Sequence, residues 1–301
     1  MRKVAILGGG GLMGHGMVLA CLRSLETQVV LVSRRQESLE HGAALIRTGP
    51  FGIERRVERG RISREQANQM LERLHSTIDY EEGLAEASLV IETVPEVLEL
   101  KHKVLAEAER AAPSNAVFAS GTSAIMISEL ASGLADPGRL VGTHWFYPAD
   151  VMPLVEVARS ELSRDDAVDG ILTFLREIGK KPVQVRDAPG FFMTRFINLY
   201  IAEAIHLLEI GVAGPAEIDE MVKTGLGWPM GVFELLDDTA SFDSWYHAQE
   251  YLHMTCGERY AIPDLARKVF LAGYRGDPRL KPESRGGWYD FLGIQRQTSK
   301  P

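Results

Sequence analysis

Lys3-Val-Ala-Ile-Leu-Gly-Gly-Gly-Gly-Leu-Met-Gly14 decides the fold. A β-prone run, Lys3 to Leu7, breaks at once into glycines, and Leu12 to Leu25 reads as a helix leading to a second strand, Gln28 to Val32. Gly9, Gly11 and Gly14 space as G-x-G-x-x-G between that strand and that helix, the context in which the pattern holds a dinucleotide. Gly9 permits the tight turn, Gly11 lets the backbone approach a pyrophosphate, and Gly14 allows helix and strand to pack closely. Leu12 and Met13 complete the cofactor turn, whose free amides at the helix start would hold the anionic phosphates. An export signal is excluded, because four consecutive glycines and His15 interrupt the apolar core it would need.

The second strand ends Val32-Ser33-Arg34-Arg35. An acid at this point would bind the ribose 2'-hydroxyl of NAD, and none is present. Two guanidinium groups and a hydroxyl suit a 2'-phosphate, so Ser33, Arg34 and Arg35 favour NADP over NAD. Solvated surface arginines are the plainer alternative.

Further along, Gln36 to His75 is charged and helical in composition, broken at Gly60 and Ser63, which predicts two helices forming an arm. β-prone pieces resume at Leu89–Glu92, Ala116–Ala119, Leu140–His144, Leu154–Val157 and Pro182–Val185, with helical segments between them. Such alternation predicts an α/β fold, a Rossmann-type doubly wound sheet over residues 1–187. After Asp187-Ala-Pro-Gly190 no convincing strand remains, so residues 188–301 are expected to form an all-α second domain.

The 301 residues are 45% hydrophobic and 25% charged, with a net charge of -8. That balance argues against nucleic acid or anionic lipid as partner, and no apolar run is long enough to span a bilayer. Cys21 and Cys256 lie far apart without metal-ligand spacing, so neither a disulfide framework nor a metal site is expected and a reducing cytoplasm fits.

Ser120-Gly-Thr-Ser-Ala124 follows one strand, His144-Trp-Phe-Tyr-Pro148 ends another, and Met152-Pro-Leu-Val-Glu-Val157 brings a carboxylate shortly after. Carboxyl ends of strands in such a sheet face the cofactor crevice, so these segments can converge. With Pro189-Gly-Phe-Phe-Met-Thr-Arg195, Gly225-Leu-Gly-Trp-Pro-Met-Gly-Val-Phe-Glu-Leu-Leu-Asp237 and Gly287-Trp-Tyr-Asp290 added, the chain resembles the short-chain L-3-hydroxyacyl-CoA dehydrogenase family, 3-hydroxybutyryl-CoA dehydrogenases among them. The resemblance runs from about Lys3 to about Gly293. It implies an oxidoreductase of fatty-acid metabolism that exchanges hydride between a nicotinamide and carbon 3 of an acyl thioester, carried on coenzyme A or an acyl carrier. It also implies a homodimer built through the helical domain.

Carried over by position, His144 is the family's general base, Glu156 the carboxylate that orients it, and Ser123 the hydroxyl on the substrate oxygen. An imidazole suits the task because its pKa lies near neutrality. Glu96 and Lys101 match a segment beside the nicotinamide, and Arg56 and Arg59 stand where the arm meets the phosphates of coenzyme A. A solvated helical face, with Glu54, Glu58 and Glu65 as partners, is the other reading of that arm. Thr194, Tyr147 and Gly121 depart from the family, which has asparagine at each position. Thr194 replaces an amide that helps hold the histidine, so a specialised acyl substrate is expected, with Tyr147 shaping its pocket. Competing readings are a β-hydroxyacid dehydrogenase, which would want a lysine where Pro189 to Arg195 has none, and a non-catalytic nucleotide-binding relative.

Overall fold

Val4, Ala5, Ile6 and Leu7 are fully buried, the near-continuous apolar run required of a strand covered on both faces. They belong to the central strand of an eight-stranded sheet in a computed structural model that describes residues 2–296. In chain order the strands are β1 (Arg2–Leu7), β2 (Thr27–Val32), β3 (Leu74–Thr77), β4 (Leu89–Glu92), β5 (Val117–Ser120), β6 (Leu140–Trp145), β7 (Leu154–Arg159) and β8 (Lys181–Arg186). Their spatial order is β3-β2-β1-β4-β5-β6-β7-β8. Every pair is parallel except β6 with β7, so the carboxyl ends of β1 to β6 share one edge and β7 enters from it in reverse. The doubly wound α/β architecture is therefore present, with a helical unit after it.

The arm departs from expectation. Three helices form, Gln36–Thr48, Ile53–Glu58 and Arg64–Glu72, because Gly49-Pro50 adds a break ahead of Gly60. Ser63 starts the last of them with a capping box: its hydroxyl accepts from the Gln66 amide at 3.1 Å, and the Gln66 side chain accepts from the Ser63 amide at 2.8 Å. The arm then ends in β3, which the sequence reading left within the helical stretch. Leu74-His-Ser-Thr77 is a short edge strand, partly exposed and without apolar alternation, so only its pairing to β2 identifies it.

The described chain divides into two compact units, one ending at Phe191 and the other beginning at Phe192. Residues 188–191 stay with the sheet because the Gly190 amide donates to the Ala124 carbonyl at 2.7 Å and the Phe191 ring lies 6.3 Å from that of His144.

The second unit packs Ile205, Val232, Phe233, Leu236, Phe242, Trp245 and Trp288 into a core. Two buried carboxylates organise its helix ends. Asp219 accepts from the Phe233 and Glu234 amides at 2.8 and 3.0 Å, and Asp237 accepts from the Trp288 and Tyr289 amides at 2.7 and 3.3 Å. Each thereby satisfies orphan donors of a helix remote in sequence. A Cβ at Gly231 would lie 2.2 Å from Asp219 Cβ, and one at Gly287 would lie 2.3 Å from Asp237 Oδ1, so glycine leaves room for each cap. The Gly231 to Asp237 motif thus has a structural explanation.

Candidate active site

The glycine turn is shaped by packing on one side and left open on the other. The left-handed residue is Gly8, at φ 81°, one position before the glycine assigned to the turn from sequence. Gly9 is required for another reason: a Cβ there would stand 1.9 Å from Leu31 Cδ1. Gly14 is closed in by Gly9 Cα, 2.4 Å from where its Cβ would be, which is the close helix–strand approach expected. At Gly11 the nearest atom to a Cβ is the Gly8 carbonyl oxygen at 3.6 Å, so nothing in the protein needs that space. The following helix, Gly14–Cys21, has no side-chain cap and no acid in its first turn. Among the described residues the Leu12 and Met13 amides make no hydrogen bond. Open space before uncommitted amides fits a pyrophosphate.

His144 and Glu156 are directly opposite one another in the antiparallel β6–β7 ladder. Both are buried, and His144 Nδ1 lies 2.7 Å from Glu156 Oε2. Opposed side chains on neighbouring strands point to the same face, so backbone pairing alone brings the two together. Phe146 covers the imidazole at a centroid distance of 4.5 Å. Phe191 does so from the other segment and holds a positive φ of 48°, uncommon for a side chain of its size.

Ser123 sits in the loop after β5, half-buried, with its amide donating to Glu96 Oε1 at 2.8 Å. The same oxygen accepts from Thr122 Oγ1 at 2.5 Å and from the Ala124 amide at 2.9 Å. Burial would raise the Glu96 pKa, but Lys101, the Thr122 hydroxyl and these amides outweigh it and hold the carboxyl below its ordinary value. Lys101 is 1% exposed, with Nζ 2.8 Å from Glu92 Oε1, 3.2 Å from Glu96 Oε2 and 3.1 Å from the Val94 carbonyl. Burial opposes its charge, yet Glu92 and Glu96 raise its pKa above the ordinary value. The cofactor contact expected of Lys101 is therefore corrected: its ammonium is enclosed between carboxylates.

At the arm, Arg23, Phe51, Arg55, Arg56, Arg59 and Arg61 line a cavity of about 240 Å³ with Asp150. Arg56 and Arg23 both pair with Asp150, and Arg56 Nε also donates to the Phe51 carbonyl at 3.0 Å. Arg56 is thus a fastener of the arm, while Arg55 and Arg59 keep the basic character expected at the cavity. Asp150 and Phe51 escaped sequence reading, since nothing local marks them. The Tyr147 ring meets Phe51 edge-on at 6.3 Å. Lys180, beneath this loop, donates to the Ala149, Asp150 and Met152 carbonyls at 2.6, 3.0 and 2.7 Å, and burial together with nearby Arg23 pushes its pKa down to about 8.

Ser33 follows β2, Arg35 is exposed at the start of the helix Gln36–Thr48, and Arg34 Nη2 pairs with Glu107 Oε2 at 2.6 Å. Arg34 is therefore already occupied by a partner 73 residues away. In the second unit, Thr194 is buried in the first turn of the helix Met193–Glu209. No cluster of potential metal ligands occurs among the described residues, and none of their helices is long and apolar enough to cross a membrane.

Residues 3–188 match the family model "3-hydroxyacyl-CoA dehydrogenase, NAD binding domain", and residues 190–289 match that of the family's C-terminal domain. The mitochondrial hydroxyacyl-coenzyme A dehydrogenase of Homo sapiens is 32% identical over 263 residues, covering 84% of this chain and 83% of the relative. That of Rattus norvegicus is 32% identical over 254 residues, covering 82% and 80%. Among solved structures, FadB2 of M. tuberculosis superposes with a TM-score of 0.85 at 28% identity, covering 95% of this chain and 98% of that one. The (S)-3-hydroxybutyryl-CoA dehydrogenase PaaH1 from Ralstonia eutropha gives 0.83 at 30% identity, covering 92% and 95%. With both domains matched and the relatives covered over most of their length, the chain belongs to the 3-hydroxyacyl-CoA dehydrogenase family, NAD-dependent oxidoreductases acting on hydroxyacyl-CoA substrates.

Proposed function

We propose that the chain interconverts the 3-hydroxyl and 3-oxo groups of an acyl thioester, with His144 moving the proton. The 2.7 Å approach of His144 Nδ1 to Glu156 Oε2 carries this reading. A carboxylate there keeps the proton on Nδ1, leaves the Nε2 lone pair to take the substrate hydroxyl proton, and stabilises the imidazolium that results. A bound nicotinamide supplies the hydride exchange at carbon 3. Ser123 donates to the substrate oxygen, and Arg55, Arg59 and Arg61 hold phosphates of coenzyme A or of a phosphopantetheine-bearing carrier. Tyr147, bulkier than the family's asparagine, narrows the acyl site, and Thr194 matches it to a specialised acyl group.

The preferred cofactor in this reading is NADPH. Ser33 offers no carboxylate to repel a 2'-phosphate, and Arg35 is exposed beside it. Arg35 is the guanidinium that would grip the phosphate, because Arg34 is held by Glu107.

A homodimer is supported by an apolar groove of about 530 Å³ in the second unit, lined by Phe196, Leu199, Leu207, Ile218 and Met221 among others. Phe196 and Met221 are more than half exposed there, an unusual cost for a monomer surface. Two free cysteines, Cys21 buried and Cys256 half-buried, support a reducing cytoplasm.

The deciding experiment follows NADH and NADPH oxidation with short 3-oxoacyl-CoA, carrier-bound 3-oxoacyl groups and free 3-oxo acids. Turnover confined to thioesters is the expected result. Turnover of free acids alone would overturn the reading.

A further inference from the structure

Glu92, Lys101 and Glu96 form a closed chain of contacts around the Ser123 loop that direct chemistry does not require. Glu92 Oε2 accepts from Ser120 Oγ at 2.7 Å, and Ser120 Oγ in turn accepts from the Thr122 amide at 3.3 Å. Glu92 Oε1 takes Lys101 Nζ at 2.8 Å and the Val94 amide at 2.7 Å. Lys101 passes on to Glu96, whose Oε1 gathers the Thr122 hydroxyl and the Ser123 and Ala124 amides. Thr122 Oγ1 closes the loop by accepting from the Ile125 amide at 3.1 Å. Lys101 and Glu92 are essentially unexposed, so each charge depends on the others for compensation.

We infer that Glu96, held by the buried Lys101, is a positioning residue that aims Ser123 at the substrate oxygen, rather than a ligand of the cofactor. The inference rests on the reading of Ser123 as the substrate's hydrogen-bond donor. A carboxylate oxygen that accepts three donors from consecutive residues fixes the loop's backbone, and with it the Cα–Cβ direction of Ser123. Angstrom-scale errors there change turnover, whereas affinity for the dinucleotide, gripped at the glycine turn, stays the same.

The test is a double-mutant cycle of Glu96→Gln with Ser123→Ala, read as kcat, KM for a short 3-oxoacyl-CoA, and NAD(P)H affinity by fluorescence titration. Thr122→Val, which removes one of the three donors, serves as a milder second variant should Glu96→Gln fold poorly. Alone, Glu96→Gln lowers kcat about tenfold, the scale of one lost positioning interaction, with cofactor affinity unchanged. In the Ser123→Ala background the same change costs nothing further. Full additivity overturns the inference, because a general structural role would act whether or not the serine hydroxyl is present. A weakened cofactor affinity with kcat intact also overturns it and restores Glu96 as a cofactor ligand. Unchanged kcat for Ser123→Ala alone removes the reading of Ser123, and the positioning role falls with it for that separate reason.

Discussion

His144 and Ser123 contribute in ways that a single rate constant mixes and that substitution separates. Replacing His144 by glutamine removes the proton acceptor, so hydride transfer falls about a hundred- to ten-thousand-fold. Cofactor affinity is expected to hold, as measured by fluorescence titration beside the steady-state assay, and a variant with most of its turnover would show that His144 is not the base. Thr194→Asn restores the family's amide. In a site matched to another acyl group it lowers turnover on the true substrate, and a uniform gain across a thioester panel would show a weakened site instead. At this scale the sequence conveyed side-chain identity but not burial or distant partners. Lys101 read as a surface helix-start lysine because its carboxylate cage depends on strand packing. Arg56 read as a phosphate ligand because Asp150, 94 residues away, gives no local signal.

The helix Leu98–Ala111 bears on cofactor choice through one side chain. Glu107 reaches Arg34 from it at 2.6 Å, so a 2'-phosphate competes with a carboxylate for that guanidinium. Glu107→Gln is therefore expected to raise NADPH affinity several-fold relative to NADH, and Arg35→Ala to lower NADPH affinity by about tenfold, the value of one charge-assisted contact. Titration of both cofactors against both variants checks this. A preference for NADH in the parent chain would show that neither arginine faces the ribose. Most strands were legible because β1, β2, β4 and β6 are apolar runs flanked by turn residues. β3 was not, since a four-residue edge strand of mixed polarity carries no period. The arm's third helix was hidden for a similar reason: six residues hold less than two turns of pattern.

Whole-molecule stability should depend on pH through the second unit. Burial pushes Asp237 up to about 7, opposed by the Trp288 and Tyr289 amides and reinforced by the Asp290 carboxylate, while Arg296 pulls the other way. Folding therefore favours protonated Asp237. That contribution is complete below the ordinary value of 3.8 and is lost as pH rises through about 7. His15, lowered by burial, acts in the opposite sense, so the comparison must be differential. Thermal midpoints of wild type and Asp237→Asn from about pH 5 to 8 should diverge, with wild type losing ground as pH rises. Parallel curves would show that Asp237 titrates at its ordinary value. Quaternary structure has its own check: Met221→Glu places a charge in the apolar groove and should give a monomer by light scattering where the parent is a dimer. The two-domain plan was readable from where strand signals stop. The groove was not, because a helix pattern does not reveal which apolar residues lack a partner.

The reversal between β6 and β7 has a consequence for how such an enzyme can diversify. His144 and Glu156 are held in register by the ladder, whereas the connection between them, with Tyr147 and Asp150, meets the arm. Residues in that connection can be exchanged while the proton-transfer pair keeps its place. Acid–base chemistry and substrate choice are thereby separately heritable traits, and recombining the connection between relatives is a route to new acyl preferences at constant mechanism.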